Sequence, residues 1–154
     1  MEKFDHSELA CKLFAEGCSC SQAVFAAFCD VTGFDKDTAL KLASSFGGGM
    51  GRMREVCGAC SGMFMVAGIL WGYSDVSDDS AKLAHYSLIQ ELAAEFKAKY
   101  DTIVCRELLK NLSVTSTPAP DKRTEEYYKV RPCVRFVKTA AEILDRRLAE
   151  TEGK

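Results

Sequence analysis

The stretch from Val56 to Tyr73, VCGACSGMFMVAGILWGY, constrains this chain more than any other. It is apolar on every side, so in a globular fold it must be a central helix covered all round. It is only marginally long enough to cross a bilayer, and four glycines, two cysteines and a serine interrupt it. We therefore expect a core helix and no membrane span. Gly58/Gly62 and Gly68/Gly72 each repeat at four residues, a spacing that lets a neighbouring helix approach closely.

The rest of the chain has to supply that cover. No segment alternates with period two between hairpin turns, whereas apolar spacings of three and four recur throughout. The expectation is an all-α fold, a single-domain helical bundle of about six to seven helices with a central buried helix near 57–72. A length of 154 residues fits one cysteine-rich domain over 1–154. Asp5 with Glu8 resembles a capping box for a first helix, which Gly17 ends. Ser19 caps a second helix that Gly33 stops, and Asp35 or Asp37 caps a third, with Leu42 on its apolar stripe. After the central helix, a long helix carries Leu83, Tyr86, Ile89, Ala93, Phe96 and Tyr100 on one face. Asp101 or Thr102 caps a short helix carrying Cys105. Residues 113–121 read as an exposed loop, 125–129 as a helical turn, and Pro132 as the first position of a last helix.

The net charge of −2 gives no case for nucleic acid, which needs basic clusters. The charged N-terminus, MEKFDH, lacks the apolar core of a signal peptide, so a cytoplasmic location is expected. Eight cysteines in that reducing compartment suggest catalytic, redox or metal-binding use rather than a disulfide framework. The plainer alternative is that several are small core residues.

Position sorts them. Cys20, Cys57, Cys105 and Cys133 each fall in the expected first turn of a different helix, on its apolar face. Unpaired N–H groups and partial positive charge there favour a thiolate, the form that attacks disulfides and binds metals. Arg52 and Arg54, just before Cys57, push the same way. Cys11 and Cys29 read as core residues, and Cys18 lies in a turn. Cys60 stands one turn behind Cys57, where it could resolve a mixed disulfide. The C-x-x-C they form is weak by itself, with no βαβ context and no second pair to complete a local zinc site. The loop Phe46-Gly47-Gly48-Gly49-Met50-Gly51 fails both nucleotide fingerprints. It reads first as a helix stop and sharp return, second as a backbone nest for an anion beside the thiols. His6 reads as a surface residue and His85 as solvated.

Cys57-Gly58-Ala59-Cys60-Ser61-Gly62 matches the CGAxxG motif of the "putative redox-active protein" family C_GCAxxG_C_C. Gly17-Cys18-Ser19-Cys20-Ser21-Gln22-Ala23-Val24 resembles that family's G-x-x-C-x-Q-A-V segment, and the glycine loop resembles its glycine-rich segment. Cys105-Arg106-Glu107-Leu108 and Cys133 resemble its last two cysteines. The resemblance implies that Cys20, Cys57, Cys105 and Cys133 are its four characteristic cysteines. Cys18 and Cys60 are additions to the pattern. The resemblance supplies no reaction or substrate.

Three functions compete. The first is thiol–disulfide or electron-transfer chemistry, with Cys57 attacking and Cys20, Cys105 or Cys133 as partner, assisted by Cys60. That would make the chain a thiol–disulfide oxidoreductase acting on a redox partner or small molecule. The second places zinc or an iron–sulfur cluster on Cys20, Cys57, Cys105 and Cys133, a full set of four thiolate ligands. The third is a non-catalytic helical binding protein. A homodimer is an open option.

Overall fold

Gly58 and Gly62 do what their spacing suggests. A Cβ on Gly58 would sit 3.0 Å from both the Ser21 nitrogen and the Phe46 carbonyl oxygen, and one on Gly62 would sit 2.9 Å from the Ser21 carbonyl oxygen. The central helix thus lies almost backbone to backbone against the helix that begins at Cys20. The computed structural model describes residues 5–152. Among these, the fold is all-α, with helices α1 (His6–Ala15), α2 (Cys20–Ala27), α3 (Cys29–Thr32), α4 (Lys36–Ala43), α5 (Gly58–Trp71), α6 (Asp79–Tyr100), α7 (Cys105–Leu108), α8 (Glu125–Val130) and α9 (Cys133–Glu152). These exceed the expected six to seven because the second helix divides at Phe28 and the turn expected at 125–129 is a helix, α8. Among the described residues no helix is long and apolar enough to cross a membrane.

Caps set the boundaries. Asp5 accepts from the Ser7 and Glu8 N–H groups at the start of α1. Ser19 and Gln22 form a reciprocal capping box on α2, and Asp35, Asp78 and Thr124 cap α4, α6 and α8. Asp101 does not open α7. It closes α6 in the left-handed conformation, and Thr102 accepts the Val104 N–H instead. Pro132 precedes α9 and accepts the Arg135 N–H. The core joins Phe14, Phe25, Phe28, Met63, Leu92, Phe96, Ile143 and Leu144, with α1, α2, α5, α6 and α9 as its walls.

Four sequence expectations need correction. Gly68 has nothing within 4 Å of a built Cβ, and Gly72 ends α5, so this second glycine pair packs no helix. The apolar stripe of α6 buries only its C-terminal half: Leu92, Ala93 and Phe96 are covered, while Leu83 is 70% exposed and Tyr86 55%. Leu42 of α4 is exposed as well. His6 is not a surface residue. It is buried, stacked on Phe28 at 4.1 Å, with Nδ1 2.5 Å from Asp145 Oδ1 and Nε2 2.9 Å from both Asp30 carboxylate oxygens. It pins α1 to α3 and α9.

Candidate functional site

The four characteristic cysteines reach one place. Cys20, Cys105 and Cys133 are the first residues of α2, α7 and α9, and Cys57 is the N-cap of α5. All four line a cavity of ≈ 420 Å³, roofed by Gly47, Gly48 and Gly49 and walled by arginines. The local reasons are visible in the backbone. A short antiparallel bridge joins Val56 to Val104. In it the Cys57 N–H donates to the Ile103 carbonyl (2.7 Å) and the Cys105 N–H to the Glu55 carbonyl (2.6 Å). The starts of α5 and α7 are thereby sewn together. The Gly58 contact already described brings Cys20 beside Cys57, with the Cys20 Cβ 3.2 Å from a Cβ built there. A Cβ on Gly49 would fall 2.7 Å from the Cys105 Cβ, so that glycine is what lets the loop lie on Cys105.

The loop itself is wound left-handed. Gly48, Gly49, Met50, Gly51 and Arg52 all have positive φ, as does Arg54. For non-glycine residues this costs roughly 1–2 kcal/mol each, and such strain persists only where the surroundings over-determine it. Here the surroundings are backbone hydrogen bonds within the loop, from the N–H groups of Met50, Gly51, Arg52, Arg54 and Glu55 to the carbonyls of Phe46, Ser45, Gly47, Gly48 and Gly49, and the guanidinium contacts. Arg52 donates to the Thr117 and Ala119 carbonyls and lies 3.0 Å from Asp121 Oδ2. Arg54, only 6% exposed, donates from Nε to the Thr115 carbonyl (2.9 Å) and from Nη1 to Cys105 Sγ (3.8 Å). Its Nη2 has no hydrogen-bond partner and lies 3.6 Å from Asp121 Oδ2. Arg131 meets the same oxygen at 3.2 Å. Burial works against the Asp121 charge, but Arg131, Arg52 and Arg54 hold its carboxyl below the usual value. Arg123 completes the wall. It donates to the Phe14 and Cys18 carbonyls and lies over the Phe14 and Tyr127 rings.

Helix starts do not act alike on the four thiols. The Cys133 thiol is lowered to about 7, first because Cys20 donates its S–H to the Cys133 sulfur, then because Arg131 lies beside it. Cys20, as the donor, is raised well above its ordinary value. Cys57 is lowered, first by the Cys60 S–H and then by the N–H groups of Ala59 and Cys60, against the cost of burial. Cys60 is correspondingly raised. Burial raises Cys105 in spite of Arg54. The cysteines therefore form two donor–acceptor pairs, Cys20 with Cys133 and Cys57 with Cys60, and Cys105 stands alone against an arginine. Of the four helix-start thiols, Cys57 and Cys133 are thus lowered and Cys20 and Cys105 raised. It also gives Cys60, fully buried behind Cys57, a closer tie to Cys57 than Cys105 has.

Cys11, Cys18 and Cys29 are half-buried and lie outside the cavity, each raised first by burial. Among the described residues no group of three or more His, Cys, Asp or Glu side chains is gathered closely enough to hold a metal ion. Sequence reasoning does not single out Arg123, Arg131, Asp121 or Tyr127. The available signal is Arg131, two residues before Cys133 in Arg-Pro-Cys.

The family model described as "putative redox-active protein (C_GCAxxG_C_C)" matches residues 18–147. The chain belongs to this family. No curated protein and no solved structure matches it significantly. The C_GCAxxG_C_C match spans α2 to α9, from the segment before Cys20 to well beyond Cys133, so it takes in every residue of the cavity wall. The motif's glycines acquire a physical meaning here. Gly58 and Gly62 hold α5 against α2, and that contact is what sets Cys57 beside Cys20.

Proposed function

We propose that this C_GCAxxG_C_C protein is a dithiol redox protein that reduces a small disulfide or equivalent oxidant in the arginine-walled cavity. The observation that carries the reading is geometric: Cys20 and Cys133 line one cavity together with Cys57, and Cys60 is buried one turn behind Cys57. Each pair has one sulfur held toward the thiolate and a neighbouring S–H that stabilises it. Cys20 and Cys133 both line the cavity. The Cys133 thiolate attacks one sulfur of a substrate disulfide. A Cys133–substrate bond forms, the substrate S–S bond breaks, and the released thiolate takes up a proton. Cys20 then loses its proton and attacks the Cys133 sulfur, expelling the second substrate thiolate, which is also protonated. Two protein thiols are oxidised to one disulfide, and one substrate disulfide is reduced to two thiols. Cys57 with Cys60 supports the same sequence, with Cys60 resolving from behind. Cys105 polarised by Arg54 is the remaining thiol at the cavity.

Mild oxidation followed by alkylation and peptide mass mapping tests this. Disulfides Cys20–Cys133 and Cys57–Cys60 are expected, with Cys11, Cys18 and Cys29 left alkylated. A protein whose cavity thiols all remain alkylatable after oxidation would defeat the reading. The alternative, zinc or an iron–sulfur cluster on four cysteines, shares the same cavity, but pairing supports it less than convergence of the four sulfurs would. Metal analysis and a visible spectrum of anaerobically purified protein decide it. The compartment we propose remains the reducing cytoplasm.

A further inference from the structure

We infer that the cavity carries a binding site for an anionic group, carboxylate or oxyanion, between Arg54 and Arg131, so that its substrate is a small anion. The chemistry of that substrate rests on the thiol-redox reading above; the anion site does not. Arg54 is the central observation. It is 6% exposed and lines the cavity, and its buried Nη2 makes no hydrogen bond, its ion pair to Asp121 Oδ2 standing off at 3.6 Å. A buried charged donor without a hydrogen bond costs more than a satisfied one, and a guanidinium fork matches a carboxylate or oxyanion edge. Arg131, with an 11% exposed side chain, presents a second fork.

Charge balance points the same way. The wall holds four arginines, Arg52, Arg54, Arg123 and Arg131, against the single carboxylate of Asp121. Three positive charges are in excess, and one remains even with Cys57 and Cys133 both as thiolates. Asp121 shows what the site accepts, since its Oδ2 already takes Arg52, Arg54 and Arg131. Arg54 also reaches Cys105, and Arg131 stabilises the Cys133 thiolate. An anion held by these two forks therefore lies next to the sulfurs that would react. A cavity of ≈ 420 Å³ suits a low-molecular-weight ligand rather than a protein segment.

Two measurements on the reduced full chain test the site. Titration calorimetry with inorganic sulfate, which is redox-inert, is expected to show saturable binding. Arg131→Met, at the C-cap of α8, should weaken it by about tenfold or more, the value of a lost charge-assisted hydrogen bond. Asp121→Asn, which removes the internal competitor, should strengthen it. Rates of thiol oxidation by dianionic 3,3′-dithiodipropionate and neutral 2-hydroxyethyl disulfide, each normalised to a free thiol, form the second arm. Preference for the dianion, competed by sulfate, identifies a carboxylate-bearing disulfide. Sulfate binding with equal normalised rates identifies a free oxyanion as the ligand. Sulfate binding with neither disulfide consumed keeps the anion site and overturns the redox reading. No saturable sulfate binding, or binding that neither substitution changes, overturns the site.

Discussion

Cys133 and Cys20 show how little a helix start decides by itself. Both are first residues of helices, yet one thiol is lowered to about 7 and the other raised, because one donates and the other accepts. Alkylation of Cys133 by iodoacetamide, followed by mass spectrometry across pH, should have its midpoint near pH 7. In Cys20→Ser, whose hydroxyl is a poorer match for the large sulfur, that midpoint should move upward. An unchanged midpoint would mean that the arginines, not Cys20, set it. His6 gives a second residue-scale prediction. Burial opposes its charge, but hydrogen bonds to Asp145 and Asp30 outweigh that and raise its pKa. The folded state therefore binds this proton more tightly than the unfolded chain. The resulting stability is fully present below about pH 6.5, the unfolded value, and is lost as pH rises through the folded one. The melting temperature of wild type minus that of His6→Gln should fall across this window. A flat difference would remove His6 from the pH response.

At the scale of elements, two glycines in the same helix predict opposite outcomes. Gly58→Ala places a Cβ 3.0 Å from backbone atoms of Ser21 and Phe46 that cannot move cheaply. It should destabilise the fold by about 1–3 kcal/mol, the usual cost of overpacking, and part α5 from α2, moving Cys57 away from Cys20. Gly68→Ala meets nothing within 4 Å. It should stabilise by roughly 0.5–1 kcal/mol through backbone entropy alone. Denaturant melts of the two variants check both signs. The periodicity and cap residues of α1, α2 and α4 are legible because Asp5, Ser19 and Asp35 act within three residues of themselves. The α6 stripe overstates its own burial for the opposite reason. Spacing reveals an apolar face, but not how much of it a neighbouring helix covers, and Leu83 and Tyr86 stay largely exposed.

For the molecule as a whole, Asp121 is the joint between the loop after α7 and the glycine loop. Its three arginines come from two parts of the chain, Arg52 and Arg54 before α5 and Arg131 after α8. Asp121→Ala should loosen residues 113–124 and speed limited proteolysis at Lys122 by roughly tenfold, the effect of losing about 1–2 kcal/mol of charge-assisted contact. Arg52 keeps its bonds to Thr117 and Ala119, so the segment should not detach entirely. Protection equal to wild type would show that the carbonyl contacts alone close the cavity.

Local chemistry in the chain determined the helical class, the caps, the central helix and the four helix-start cysteines, because each depends on residues within a turn or two. That Cys20, Cys57, Cys105 and Cys133 share one cavity was not local. It follows from the Val56–Val104 bridge, the close contact of α5 with α2 and a left-handed glycine loop lying on Cys105. The pairing of thiols, the burial of His6 between Asp30 and Asp145, and the gathering of Arg52, Arg54 and Arg131 on Asp121 were decided by tertiary structure alone. A thiol's charge state depends on which groups stand within a few ångströms of its sulfur, and those groups come from elements far apart in the chain.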